Sequence, residues 1–341
     1  MNIKTPQYGW LRYLVSLLIP FALIMNTSTS IAAKSDYSSV NKKMRIPANN
    51  QATAARIALG KALFFDPRLS GSNWISCGTC HNPALGWSDG LPTAIGEGQK
   101  VLDRSTPTIL NTGYNRHQFW DGRSKTLEAQ ATGPIQAGIE MNQTMDVLVK
   151  ELESIKGYGP MFEAAYPGEG ISEDTIGKAI ANFERTIVSD YSAPFDHWLR
   201  GNKKAISASA QRGFKLFDGK ARCNFCHQGH NFTDDGFHNI GLANNDDPGR
   251  YAIAKVEVLK GAFKTPTLRD IARTPPYMHN GAYATLVEVI EHYDAGGKDK
   301  RNLSPSMKKL NLTKQEKTDL VNFLETLTDK QKEFALPVLP N

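Results

Sequence analysis

With 341 residues, 40% of them hydrophobic, the chain is too long for one small domain and apolar enough to fill two packed cores. Its formal net charge of +6 comes from lysines and arginines scattered along the sequence rather than gathered in runs. That is the pattern of a solvated surface and speaks against a nucleic-acid partner.

At the amino end, Lys4 and Arg12 precede the apolar run "YLVSLLIPFALIM" (13–25), which Pro20 interrupts and which ends at small residues around Ser30 and Ala32. A basic start, a short apolar stretch and a small-x-small site predict a signal peptide over residues 1–33, cut near Ala32 or Ala33. The run is shorter than the roughly 20 apolar residues a membrane span needs. Cleavage removes two positive charges and leaves a mature protein of net charge +4, expected in the periplasm with no membrane segment.

An exported chain usually spends its cysteines on disulfides. Here all four lie in "CGTCH" (77–81) and "CNFCH" (223–227), two copies of the C-x-x-C-H signature of c-type haem attachment. The pairs Cys77/Cys80 and Cys223/Cys226 would form thioethers to the porphyrin, and His81 and His227 would stand under the irons. Two alternatives compete. A four-cysteine zinc site uses neither histidine and must close the long gap between Cys80 and Cys223, and a redox-active C-x-x-C needs only one copy.

The motifs sit in related surroundings. "GKALFF" (60–65) precedes the first and "GFKLFD" (213–218) the second, which predicts a duplicated unit. Thirteen positions separate Phe64 from Cys77 and six separate Phe217 from Cys223, so the first copy carries an extra loop. Further along, "SEDTIGKAIANFERTI" (172–187) places Ile176, Ile180 and Phe183 on one helical face with Ser172 as N-cap. "TLVE" (285–288) and "TKQE" (313–316) are capping boxes, the second followed by the apolar stripe Leu320, Phe323, Leu324 and Leu327. Alternating β-branched runs are scarce, and residues 82–118 and 229–282 read as long loops, packed around something large. The predicted class is all-α, with a leader over 1–33, one cytochrome-c-like domain over 34–200 and another over 201–341.

The stretches "ALFFDPRLSGSNWISCGTCHNPALGWSDG", "RSTPTILN", "FWDGR", "LEAQATGPIQ", "DPGR" and "FKTPTLRDIARTPPYMHNG" resemble, in order and over most of residues 55–328, the bacterial di-haem cytochrome c peroxidase and MauG family. The resemblance implies two covalently bound haems, with a calcium ion and a tryptophan between them. It assigns His81 to a peroxide-reacting haem and His227 to an electron-transfer haem. Trp120 matches the inter-haem tryptophan, though by itself it would read as a core aromatic. Gln130 and Glu140 match the distal-pocket residues of the reactive haem, where a carboxylate can move a proton between peroxide oxygens. Without the family, Glu140 would read as a surface acid. The calcium ligands would be Ser105 and the carbonyls of Lys264 and Pro266, with Ser105 standing where the family usually has asparagine.

Three departures separate members of the family. Peroxidases that need reductive activation carry a histidine in the loop after the first motif, and this chain has Glu97, which implies an open face on the first iron. Peroxidases place a methionine on the second haem and MauG a tyrosine, and the matching residue here is Tyr293. Its neighbour His292 should point away, toward a propionate or solvent, because successive helical residues lie about 100° apart. A phenolate favours oxidised iron over ferrous, opposite to a thioether. The third departure is Ala221, at the position of the tryptophan through which MauG hands oxidation to its substrate.

The reading that follows is a MauG-like enzyme. It would use peroxide, or oxygen plus electrons, to oxidise tryptophans of a partner protein such as the methylamine dehydrogenase precursor, whose product is tryptophan tryptophylquinone. A cytochrome c peroxidase fed by a small electron-donor cytochrome is the second reading, and a di-haem electron carrier without catalysis the third. Glu97 and Tyr293 oppose the second, and an open pocket with Gln130 and Glu140 opposes the third.

Overall fold

The structure, a computed structural model, describes residues 1–4, 37 and 44–341, so the leader expected over 1–33 lies outside the described residues except for its first four. Residues Ser35–Asn341 form one compact unit. Its helices are α1 (Ala54–Phe65), α2 (Cys77–Cys80), α3 (Leu127–Gln136), α4 (Met145–Ser154), α5 (Tyr158–Ala165), α6 (Glu173–Glu184), α7 (Pro194–Leu199), α8 (Ala208–Phe217), α9 (Tyr251–Ala254), α10 (Leu286–Asp294) and α11 (Lys314–Glu325). The described strands are β1 (Phe237–His238) and β2 (Phe263–Lys264), paired antiparallel with Phe237 opposite Lys264. The class is all-α, as the scarcity of alternating runs predicts. No helix among the described residues is long and apolar enough to cross a membrane.

The caps read from sequence are formed. Ser172 accepts from the Thr175 amide, Thr285 from Glu288 and Thr313 from Glu316, each inside a reciprocal capping box. Helix α6 stops at Glu184, short of the apolar Ile187. Thr186 turns its hydroxyl back onto the Phe183 carbonyl at 2.7 Å, a local bond that competes with continued helix.

The molecule repeats one construction twice. Helix α1 packs across α6, and α8 packs across α11. At each crossing a glycine lets the backbones touch. A Cβ built on Gly60 would lie 1.9 Å from the Ala179 carbonyl oxygen and 3.0 Å from Phe183 Cβ. One built on Gly213 would lie 1.9 Å from the Asp319 carbonyl oxygen and 2.8 Å from Phe323 Cβ. Two apolar clusters grow from these crossings. The first gathers Leu59, Leu63, Phe64, Ile176, Ile180 and Phe183. The second gathers Phe195, Phe217, Phe232, Leu320, Phe323 and Leu327. Two segments distant in sequence complete them. Phe334 packs on Phe65 and Trp87 of the first, and Tyr37 stacks on Phe232 of the second.

A second repeated piece joins the loops to the next helix. "QFWDGRS" (118–124) and "YMHNGAY" (277–283) each close through an antiparallel bridge, Gln118 with Ser124 and Tyr277 with Tyr283. Phe119 and Met278 share positive φ (67° and 76°), as do Gly122 and Gly281 (68° and 63°). Each turn then runs into a helix capped by threonine, Thr126 for α3 and Thr285 for α10. Trp120 and His279 therefore occupy equivalent positions, and so do Pro134 and Tyr293, each eight residues into its helix.

The crossings make a direct prediction. Gly213→Ala drives a methyl into the Asp319 carbonyl and forces α8 off α11, so it is expected to destabilise the protein by about 3 kcal/mol. Chemical denaturation checks this. Gly159→Ala, in α5 with open space where a Cβ would lie, serves as the control.

Candidate functional site

Both C-x-x-C-H motifs border one cavity of about 410 Å³. The first arrives on the single-turn helix α2, whose N-terminus is closed by Ser76 and Thr79 in a capping box. The second arrives on a turn from Cys223 to Phe225. In both, the histidine amide bonds back to the first cysteine carbonyl at 2.8 Å, which folds the histidine under the motif.

The two imidazoles are held alike. His81 Nδ1 donates to the Trp87 carbonyl at 3.1 Å and His227 Nδ1 to the Phe232 carbonyl at 2.8 Å. A carbonyl on Nδ1 fixes the tautomer and leaves Nε2 for a metal, the usual arrangement of a ligating histidine. Burial pushes both imidazoles below their ordinary pKa, against the opposing pull of these carbonyls, so both are neutral as a metal ligand must be. Burial pushes the thiols of Cys77, Cys80 and Cys223 the other way, with Cys80 up to about 11 and Cys223 to about 12. A redox-active C-x-x-C pair depends on a lowered thiol pKa, so that alternative does not fit. Cys226, Asp234 and His238 form the one group among the described residues that could grip a bare metal ion. Cys226 belongs to the second motif, however, and His238 Nε2 is already taken by Asp234 at 2.9 Å. The donor set fits two covalently attached haems: paired thiols beside a carbonyl-oriented imidazole, twice, on an apolar cavity.

Gln130 and Pro134 on α3, with Glu140 in the loop behind it, border the same cavity. Burial raises the Glu140 carboxyl above its ordinary range, and the Arg123 guanidinium only partly offsets this. Glu97 is not among the residues bordering the cavity. Its carboxylate accepts from Ser72 at 2.7 Å, while its amide donates to the Glu140 carbonyl at 2.8 Å. Glu97 thus braces the loop that carries Glu140.

Tyr293 and His292 part ways on α10. Tyr293 borders the cavity, burial raises its hydroxyl pKa, and its hydroxyl has no hydrogen-bond partner among the described residues. His292 is 1% exposed, with Nδ1 on the Tyr283 hydroxyl and Nε2 on the Ile240 carbonyl, both at 2.9 Å. It points away as expected, but into a buried polar contact rather than to solvent or a propionate. Both nitrogens are spent there.

Trp120 is fastened to both halves. Its indole N–H donates to the Ser105 carbonyl at 2.8 Å, and its own carbonyl accepts from the Lys264 amide at 2.8 Å. Ser105 lies two residues before Pro107 and Lys264 two before Pro266, in matching "TPT" turns whose proline carbonyls sit by His81 and His227 respectively. Ser105, Lys264 and Pro266, expected around calcium, all border the cavity. Ala221 borders it too and is buried.

Sequence reading missed two residues here. His279, buried with Nε2 on Asn245 at 3.2 Å, stacks on Phe263 at 3.5 Å and meets the Trp120 ring edge-on at 6.4 Å. Burial lowers its pKa to about 4. The likeness of "FWDG" to "MHNG" was the available signal. Glu184, at the end of α6, borders the cavity as a buried acid and left no signal except its place in an apolar helix.

Comparison with known proteins places this architecture. The family described as "Di-haem cytochrome c peroxidase" matches residues 54–204, and the cytochrome c family matches residues 210–328. The methylamine utilization protein MauG of Methylorubrum extorquens is 46% identical over 323 residues, covering 92% of this chain and 91% of its own. A cytochrome c peroxidase of Denitromonas iodatirespirans is 38% identical, covering 83% of this chain and 84% of its own. The crystal structure of a MauG-like protein associated with microbial copper homeostasis superposes with a TM-score of 0.80 at 33% identity, covering 86% of this chain and 96% of that one.

Proposed function

Since the chain belongs to the di-haem cytochrome c peroxidase and MauG family and is a haem-dependent oxidoreductase with two covalently bound haems, we propose that it acts as MauG does in the periplasm. In this reading it uses hydrogen peroxide, or oxygen with electrons, to oxidise tryptophan side chains of a partner protein, for which the methylamine dehydrogenase precursor is the first candidate. The observation that carries the reading is Tyr293. At the position where α3 has Pro134, which offers no donor atom, α10 presents a half-buried phenol with an unpartnered hydroxyl at the cavity. With haem bound, Pro134 would leave the first site open to peroxide, and Tyr293 would offer the second an oxygen ligand of the kind that favours oxidised iron.

Bound haem supplies the iron that accepts the oxidising equivalents of peroxide, and the chain supplies the rest. His81 and His227 would hold the irons through Nε2, with Nδ1 anchored on carbonyls. Glu140 receives the proton of the inner peroxide oxygen and returns it to the outer one, so that water leaves. Burial raises the carboxyl's pKa, which favours its taking up the proton in the first of these steps. Gln130 orients the peroxide by hydrogen bonding. Trp120, pinned by Ser105 and Lys264, is the oxidisable side chain held against both halves. Calcium belongs to the same proposal, on Ser105 and the carbonyls of Lys264 and Pro266.

Peroxide reduction with electrons from a small cytochrome is the second reading. The small, buried Ala221 favours it, because that position holds no side chain able to pass oxidation outward from the second site.

Mixing the holoprotein with peroxide and methylamine dehydrogenase precursor tests the proposal, with mass spectrometry of the precursor tryptophans as readout. Oxygen gained on those tryptophans is expected, and Glu140→Gln should slow it about 100-fold while both haems stay in place. Unmodified tryptophans, with peroxide consumed only when reduced cytochrome is supplied, would establish the second reading instead.

Tyr293→His is expected to turn the second haem into a low-spin bis-histidine centre by electron paramagnetic resonance and to abolish partner oxidation. His292→Ala should leave that signal alone and lower stability by about 1–3 kcal/mol through the lost Ile240 and Tyr283 contacts. The opposite pattern would make His292 the ligand.

For calcium, chelation is expected to alter the haem absorbance spectra and slow the reaction with peroxide. Spectra and rates untouched by chelator would remove the ion from the proposal.

A further inference from the structure

Of the acids that border the cavity, Glu184 has no part in the chemistry above. It is 4% exposed, and its Oε2 has no hydrogen-bond partner among the described residues. The repeated helix crossing shows what stands at the same place in the other half. Gly60 meets the Ala179 carbonyl with Phe183 beside it, and Gly213 meets the Asp319 carbonyl with Phe323 beside it. The next residue is Glu184 in α6 and Leu324 in α11, and both border the cavity. The first site therefore has a carboxyl where the second has an isobutyl group.

The one cation facing that carboxyl is paired with another acid. The charged groups facing it are Arg185, which follows it on the chain, and Glu128 of α3; Cys77 of α2 is the titratable neighbour from the motif, and no such group comes from α1. Arg185 is bound to Glu128 at 2.8 Å, so its charge is largely neutralised by another acid. An isolated buried carboxylate is costly, and the group stays protonated unless positive charge appears nearby. Burial pushes its pKa up to about 8, with Arg185 opposing and Glu128 adding to the rise. A thioether on Cys77 would attach the first haem to the cavity that Glu184 also borders.

We propose that Glu184 is a redox-linked proton site for the haem attached at Cys77 and Cys80. When one electron leaves that haem, Glu184 releases one proton to solvent, and its carboxylate then offsets the positive charge gained. When the electron returns, the proton returns with it. The second half has Leu324 at this place and no such acid, so only the first haem would be coupled to proton uptake here. The inference rests on the two haems alone and not on the identity of the oxidised partner.

Potentiometric titration of the holoprotein, with the two haems resolved by their absorbance and repeated from about pH 6 to about pH 9, tests it. In the native protein the midpoint potential of the first haem is expected to fall as pH rises through this range. In Glu184→Gln, which is neutral throughout, that potential should stay near its low-pH native value, and the second haem should be unchanged. Glu184→Leu, which installs the residue the second half already carries, should behave like the glutamine variant and serves if the latter does not fold. A native-like pH dependence of the first haem in either variant overturns the proposal, as does a change confined to the second haem. Neither outcome touches partner oxidation.

Discussion

The structure depends on two places where a helix backbone rests directly on another. Gly60 against Ala179 and Gly213 against Asp319 admit no side chain, and this contact sets how deeply α1 enters α6 and α8 enters α11. Once the crossing is fixed, Phe64 and Phe217 fall into their clusters, and each motif is delivered to the cavity from a helix whose register is already decided. The aromatic pairs that follow, such as Phe64 with Phe183 at 5.1 Å and Phe217 with Phe323 at 5.0 Å, add about 0.5–1.5 kcal/mol each beyond burial. They reinforce the crossings and do not determine them.

Because one construction is used twice, its differences locate function. Where α3 has Pro134, α10 has Tyr293, so one half lacks a donor atom at that helix position and the other supplies a half-buried phenol. Where one turn carries Trp120, the other carries His279, and the two rings meet edge-on at 6.4 Å. Where α11 buries Leu324, α6 buries Glu184. None of these changes disturbs the glycine crossings or the capping threonines. The scaffold tolerates them because each lies at the cavity border rather than in the glycine contacts.

Directional polar contacts join the two halves. Trp120 is bonded at its ring to Ser105 and at its carbonyl to Lys264. Asn111 donates to Asn231, which also accepts from Thr267. Arg104 spans Asp121 and Asp247, each at 2.7 Å. Such buried bonds are directional, and losing one partner costs about 1–3 kcal/mol. They fix the orientation of the indole and its distance from each half, which an apolar seam of similar area would leave free to slide.

The sequence by itself determined what is chemically local. Two C-x-x-C-H motifs state their own attachment, because thioether bonds need only the cysteines and their spacing. The capping boxes at Thr285 and Thr313 and the apolar face of 172–187 are likewise complete within a few residues. The order of motifs carried the family, and with it Tyr293, Gln130 and Glu140 as candidates. Tertiary structure decided what depends on distant partners. His292 is occupied because Ile240 and Tyr283 arrive from elsewhere in the chain. Glu184 is a buried acid whose nearest cation is shared, because α3 brings Glu128 to Arg185. His279 meets Trp120 because two turns far apart in sequence close on one cavity. Charge, hydrogen bonding and burial are properties of neighbours, and most of these neighbours are not adjacent in the sequence.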